Sequence, residues 1–434
     1  MSDFMRQPLD HAAANAPPWL TDIVSAGRTR WEASSMPTRK TEQWKYTSLQ
    51  HLQGSYAAAN DGQVELAAAG LELPDLGGFR LVFVNGHFCP ESSDTELPEG
   101  VNLVRFADAS DSQAETIREY LGLAVGRDQP LFTALNEAAL EEGVFIDIGP
   151  DVSVEQPLVI AWLTANQDQA FGVSQRMLVM AGRGSRASVI EYFDSASGAQ
   201  DSFTNGVTEL LLNESATLNH CRLHLEQANA VHIGRVHAQL SSHATLKSFH
   251  CALGSVMKRL DLVVDHVGQG AHSELNGVYL PREREHIDYH TCTEHRVPNC
   301  TSSEIFRGII EDEASAVFNG RIHIHENAQK TRAELNNRNL LTSAQAEVNT
   351  KPELEIYADD VQCAHGATVA QLDQESLHYL RSRGIARDEA TVMLSFGFIN
   401  EVIDSVSCEA VAEHLRGLLS ERFAKDPALR AHRV

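Results

Sequence analysis

The chain has 434 residues, with 35 Lys and Arg against 59 Asp and Glu, a net charge of -24, and 43% hydrophobic residues. That length and apolar content suffice for a sizeable core in two or three domains, while the acidic balance argues against a nucleic-acid backbone or an anionic membrane as the main partner, since both require a basic face. The opening MSDFMRQPLDHAAANAPPWL lacks the apolar run of a signal peptide, no segment nears the roughly 18 apolar residues of a spanning helix, and the seven Cys are scattered without a CxxC pair; the expected compartment is the reducing cytoplasm.

The pattern up to about Leu52 is helical. WLTDIVSAGRTRWEAS brings Leu20, Ile23, Val24 and Trp31 near one face. PTRKTEQWKYTSL (Pro37 to Leu49) and a polar Gly- and Ala-rich stretch around Ala57 to Gly78 follow. LVFVNG (Leu81–Gly86) predicts a strand entering a turn. ETIREYLGLA and PLFTALNEAALEEG predict helices, the second opened by Pro130 and closed by Gly143.

From about Val144 the period drops to two. FIDIG, PLVIAW, RMLVMAG, ASVIEYF, GVTELLL, RVHAQL and RLDLVV predict short strands. The turns between them repeat: SRASV, ESATL, SHATL and GAHSEL place an Ala at 187, 216, 244 and 271, at intervals of 29, 28 and 27. DEASAVFNG supplies a further copy at Ala314, its FNG matching LNG at Leu275–Gly277. Strand-turn units at near-constant spacing define a repeat architecture. The strand period excludes helical solenoids, and a propeller blade needs a longer repeat. The reading is a parallel β-helix, whose coils bury their inward side chains on one another; a β-sandwich with coincidental spacing is the alternative.

After Thr368 the pattern is helical again. LDQESLHYLRSRG has Asp373 as N-cap and Gly384 as its stop. RDEATVMLSFGFINEVID follows, capped near Asp388, with two apolar stripes. Val392, Phe396, Ile399 and Ile403 form one; Leu394, Phe398 and Val402 lie roughly opposite. One stripe covers the chain's own core, and the other needs a second surface, in this chain or a partner. The expected organisation is a mainly β protein: an N-terminal helical and mixed region (1–143), a parallel β-helix core (144–370) and a C-terminal helical region (371–434).

GxxxxGK[ST], GxSxG, HExxH and GxGxxG are all absent. HIDYHTCTEHRVPNC contains His286, His290, Cys292, His295 and Cys300, all of metal-ligating type. Strands spread such residues over two faces, so the plainer reading is polar side chains outside the coils. His323 and His325 of IHIHE face one way and read as a surface pair. Asp359–Asp360 suggests the acidic cluster of a β-helix enzyme cleaving polyuronides, but adjacent residues of a strand point apart. In EIYADDVQCAHGATV, Cys363 and His365 lie two apart, on one side of a strand. They are two candidate metal ligands, too few for a closed site.

PTRKTEQWKYTSL, HIDYHTCTEH, SEIFRGII, FNGRIHIHENAQKTRAELNNRNLLTSAQAEVNTKPELEIYADDVQCAHGATV and LDQESLHYLRSRGI together resemble the SufB/SufD family of iron–sulfur cluster assembly scaffolds. The resemblance spans nearly the whole chain and is strongest from about His286 to Ile385. HGAT, where SufB chains usually carry EHEAT-type sequence, favours the SufD branch over a SufB-type scaffold. The resemblance implies a right-handed parallel β-helix between helical ends. It implies pairing with SufB, or with a second copy when SufB is absent, and binding of the ATPase SufC through the C-terminal helices. ATP is then hydrolysed on SufC, and this chain is not an enzyme. The Leu394, Phe398 and Val402 stripe gains a partner, SufC. His365 corresponds to the histidine at the SufB interface, where a transient iron–sulfur cluster is shared with a SufB cysteine; Cys363 stands beside it as a tentative second ligand. Rival readings are a β-helix carbohydrate-active enzyme and a stand-alone metal-binding protein using the His-rich coils.

Overall fold

The computed structural model describes residues 3–52, 54–59, 66, 70–126, 130–196, 201–226 and 229–424. Residues 60–65 and 67–69 of the polar stretch lie outside the described set. From Val144 the strands alternate between two ten-stranded sheets, and each pairs in parallel with the strand two places on. That is a parallel β-helix, one strand of each sheet per coil, and not a sandwich. No described helix is long and apolar enough to cross a membrane.

The two ends of the β-helix differ. At one end, segments from before residue 144 extend the sheets: Phe79–Val84 runs parallel to Leu158–Thr164, then turns back on His87–Phe88. Val101–Arg105 pairs antiparallel with Val144–Ile148. At the other end, Glu347–Ile356 and Gln362–Gln371 are the last strands of their sheets, each paired on one side only among the described residues.

The alanine repeat marks a buried column, with two corrections. Backbone N–H groups of Thr217, Thr245, His272, Thr301 and Arg332 donate to the carbonyls of Ser185, Ala216, Ala244, Ala271 and Cys300. Successive coils therefore stack Ser185, Ala216, Ala244, Ala271 and Cys300, all buried. Ala187 stands two residues out of this column, opposite Leu218. Ala314 belongs to the other sheet, where Ser315 pairs with His286. The residue before each column position turns the chain with positive φ: Gly184 (69°), Ser215 (58°), His243 (58°), Gly270 (74°) and Asn299 (61°). The recurring unit is thus a left-handed turn residue followed by a small side chain that the tight corner can accept.

Helices cover the outer faces of both sheets. Helices α1 (Arg6–Asn15), α2 (Thr21–Ala33), α3 (Asp111–Tyr120) and α4 (Leu131–Ala138) come from the N-terminal region. Their side is packed by Phe4, Leu9, Trp31, Phe132 and Leu135 against Phe203, Ile233 and Met257. Helix stops at Ala33 rather than Leu52, and residues beyond it carry only single 3-10 turns. Tertiary contacts, not propensity, fix that segment: Arg259 stacks 4.4 Å from the Trp44 ring, and Thr47 donates to Asp288. A capping box of Ser110 and Gln113 starts α3, whereas α4 ends at Ala138, short of Gly143.

Helices α5 (Gln374–Ser382), α6 (Arg387–Ile403) and α7 (Glu409–Ala424) follow the last strand. Asp373 caps α5 by accepting from the Glu375 and Ser376 N–H groups, and Gly384 closes it with φ 86°. The cap of α6 is Ala386; Asp388 and Glu389 sit in its first turn, where carboxylates favour the helix dipole. Ile399, Ile403, Val411, Leu415 and Leu419 bury the outer face of the second sheet at Ile190, Leu223, Val278 and Ile309.

Candidate functional site

Cys363 and His365 lie on the terminal strand Gln362–Gln371, in register with Ala333 and Leu335. Both register partners are buried in the β-helix interior. The two side chains therefore share the inward side, as their spacing predicts. No further coil covers that side among the described residues. Cys363 is half-buried against the interior core. Burial pushes its thiol up, against a backbone N–H from Ala333, so ligation by sulfur is coupled to loss of a proton. The His365 side chain is exposed and forms no hydrogen bond among the described residues. Two side chains of metal-ligating type thus share one side of a strand that is paired on one side only among the described residues.

Asp359 and Asp360 are exposed and occupy the turn before this strand, not a strand. The Asp360 N–H donates to Gln329 Oε1 at 2.8 Å. Their arrangement is a solvated turn.

The His286–Cys300 group divides over two faces. His286 is held by Ser315 Oγ at 2.7 Å and Thr47 Oγ1 at 2.9 Å, and His290 by Asp288 Oδ1 at 3.0 Å. Cys292 shares that outer face, its Sγ 3.3 Å from Arg321 Nη2. His295 and Cys300 instead are fully buried, which the plainer outside reading missed. His295 Nδ1 meets His266 Nδ1 at 3.0 Å, while the Nε2 atoms reach Ser302 and Ser273, each at 2.9 Å. Burial lowers both imidazoles, His295 to about 4, so the pair is neutral.

Two further groups were not legible as sites in the sequence. Glu294 lies on the outer face beside His323 and His325. Its only sequence signal is the 29-residue spacing from His323, one coil. Inside, Glu304 is fully buried and accepts from Thr291 Oγ1 (2.6 Å) and Thr293 Oγ1 (2.7 Å). Burial outweighs those bonds and pushes its carboxyl up to about 7.

On α6, Leu394 and Phe398 are half-buried and Met393 is exposed. Val402 is only 2% exposed and belongs to the chain's own core. The two predicted stripes are therefore unequal: Phe398 also packs partly on that core, and the outward apolar surface centres on Met393 and Leu394.

The class defined here is a β-solenoid flanked by helices, with Cys363 and His365 on a last strand that is paired on one side only among the described residues. The SUF system FeS cluster assembly SufBD core domain matches residues 163–398, and the SufBD protein N-terminal region matches residues 3–160. The chain belongs to the SufB/SufD family, and its role lies in iron–sulfur cluster assembly. It is 30% identical over 393 residues to the iron–sulfur cluster assembly protein SufD of Escherichia coli, covering 90% of each chain. An iron–sulfur cluster assembly SufBD family protein of Synechocystis is 29% identical over 397 residues, 89% of this chain and 87% of the other. SufD of Bacillus subtilis is 25% identical over 332 residues, 75% of this chain and 74% of that protein.

Proposed function

We propose that the chain is a non-catalytic subunit of a complex with SufB- and SufC-type partners, offering Cys363 and His365 to a nascent iron–sulfur cluster shared with the SufB-type chain. The observation that supports this reading is that Cys363 and His365 lie on a strand paired on one side only among the described residues. The terminal strand exposes backbone N–H and C=O groups that another strand can satisfy. A partner seated there would bring further ligands to the inward side of Cys363 and His365, completing a site that this chain leaves open. Iron and sulfide are cargo in this scheme. Neutral imidazole is a more exchangeable ligand than thiolate, which suits a site that must hand its cluster on. Motion that parts the two chains would dismantle the site and release the cluster.

The C-terminal region from 371 to 434 is the proposed seat of the SufC-type ATPase, with Leu394 and Phe398 at the contact and Val402 supporting them from within. ATP hydrolysis then resides on that partner. Without a SufB-type chain, the same edge is available to a second copy of this one. The deciding experiment is co-expression of the three chains, followed by purification through this one and anaerobic loading with iron and sulfide. Recovery of both partners with a bound cluster is expected; recovery of this chain alone overturns the reading.

A further inference from the structure

We propose that Glu294, His323 and His325 form a binding site for a borderline divalent cation of the first transition row, such as Fe(II) or Zn(II), on the outer face of the β-helix. This inference does not rest on the cluster reading and involves neither Cys363 nor His365. Glu294 and His323 pair in register on neighbouring strands, and His323 pairs in turn with Glu355. His325 follows the end of the strand Ser315–Ile324, on the same side as His323. The two imidazoles converge on one atom: His323 Nδ1 and His325 Nε2 each lie 2.8 Å from Glu294 Oε2. The three potential ligand atoms all fall within 4.8 Å of one another. Two imidazole nitrogens and one carboxylate oxygen on one side of an ion, with other positions open, is a donor set suited to Fe(II) or Zn(II).

The surroundings are built to hold that set. Arg321 takes the other carboxylate oxygen, Glu294 Oε1, at 2.9 Å, and reaches Glu355 Oε1 at 3.3 Å. Glu294 is thus oriented by a group outside the ligand set, as metal-binding carboxylates commonly are. Arg296 Nη2 is 3.8 Å from Glu294 Oε2, but it donates at 2.9 Å to Asp265. Three carboxylates (Glu294, Glu355, Asp265) therefore face two guanidinium groups (Arg321, Arg296), leaving a surplus negative charge for a cation. Tyr357 sets its ring edge-on to His323 at 5.5 Å. Glu294 is almost fully buried while the histidine side chains are 18% and 32% exposed, which gives an ion a path from solvent.

The test uses the full-length metal-free chain, titrated anaerobically with Fe(II), Zn(II) and the spectroscopic probe Co(II). One ion per chain is expected for the wild type. His323→Ala/His325→Ala and the isosteric Glu294→Gln should bind at least about tenfold more weakly, and Cys363→Ser/His365→Ala should bind as wild type. Circular dichroism checks each fold. Should the triad variants unfold, proton NMR of the wild-type Co(II) form decides, because each ligating imidazole keeps one exchangeable N–H. Two paramagnetically shifted imidazole N–H resonances support the site, and none overturns it. No ion bound by the wild type at about 100 μM, unchanged binding in the folded triad variants, or loss confined to Cys363→Ser/His365→Ala each overturns the proposal.

Discussion

Replacing His365 by Ala separates a ligand from a structural residue, because its register partner provides an internal standard. The His365 side chain is exposed and bonds to nothing among the described residues, so trimming it resembles an ordinary surface change, worth within about 0.5 kcal/mol. Leu335, one coil inward on the same side, is 2% exposed and packs in the interior core. Leu335→Ala combines lost burial with a cavity and should cost about 2–5 kcal/mol. Urea unfolding of the isolated chains measures the first quantity; iron and sulfide per anaerobically loaded complex measure the second. His365→Ala should keep the wild-type midpoint and lose most of the cluster, while Leu335→Ala should do the reverse at low temperature. Cys363→Ser should fall between them if the thiol only tunes the site, and match His365→Ala if it ligates. Wild-type iron and sulfide in the His365→Ala complex would refute the reasoning, as would a destabilisation rivalling that of Leu335→Ala.

Arg176 and Glu209 form a fully buried ion pair at 2.5 Å, so Arg176→Met should cost about 3–5 kcal/mol by leaving a buried carboxylate unpaired; an unchanged denaturation midpoint would contradict this. Glu304 has a carboxyl raised by burial to about 7, so the folded state holds a proton that the unfolded state has released; stability should fall as pH rises from the unfolded value near 4.5 towards 7, then level off. Glu304→Gln should flatten that slope, with a gain at pH 8 relative to pH 5 of up to roughly 3 kcal/mol, and parallel pH–stability curves for the two proteins would dispose of the claim. Leu394→Asp should weaken SufC binding in a pull-down while the chain stays folded, whereas Val402→Asp should unfold the C-terminal helices by burying a charge; full SufC recovery with folded Leu394→Asp removes that surface from the interface.

The β-helix was legible because its corner rules are local. A left-handed residue followed by a small one recurs once per coil, and the alternation of side chains names the inward face. The sequence misplaced Ala187 and Ala314 because alanine is small wherever it occurs, while Ser185 and Cys300 fill the same column with different chemistry. The Cys363–His365 pair was legible because both residues lie on one strand, where spacing alone dictates their side. Glu294 with His323, and His266 with His295, were not, since each pair is separated by one whole coil and only register brings it together. The segment after Ala33 escaped because a docked Trp44 and Thr47 override the helical preference of their neighbours.

A β-helix is held together coil by coil, each touching only the next. The final coil of this one has a neighbour on a single side, so its amides should exchange with solvent well before those nearer the middle. Breathing there need not travel. The rest of the solenoid can remain a stiff ruler between the helices at its two flanks while one strand loosens and re-forms, so that the last coil can be opened repeatedly without unmaking the part that keeps distance.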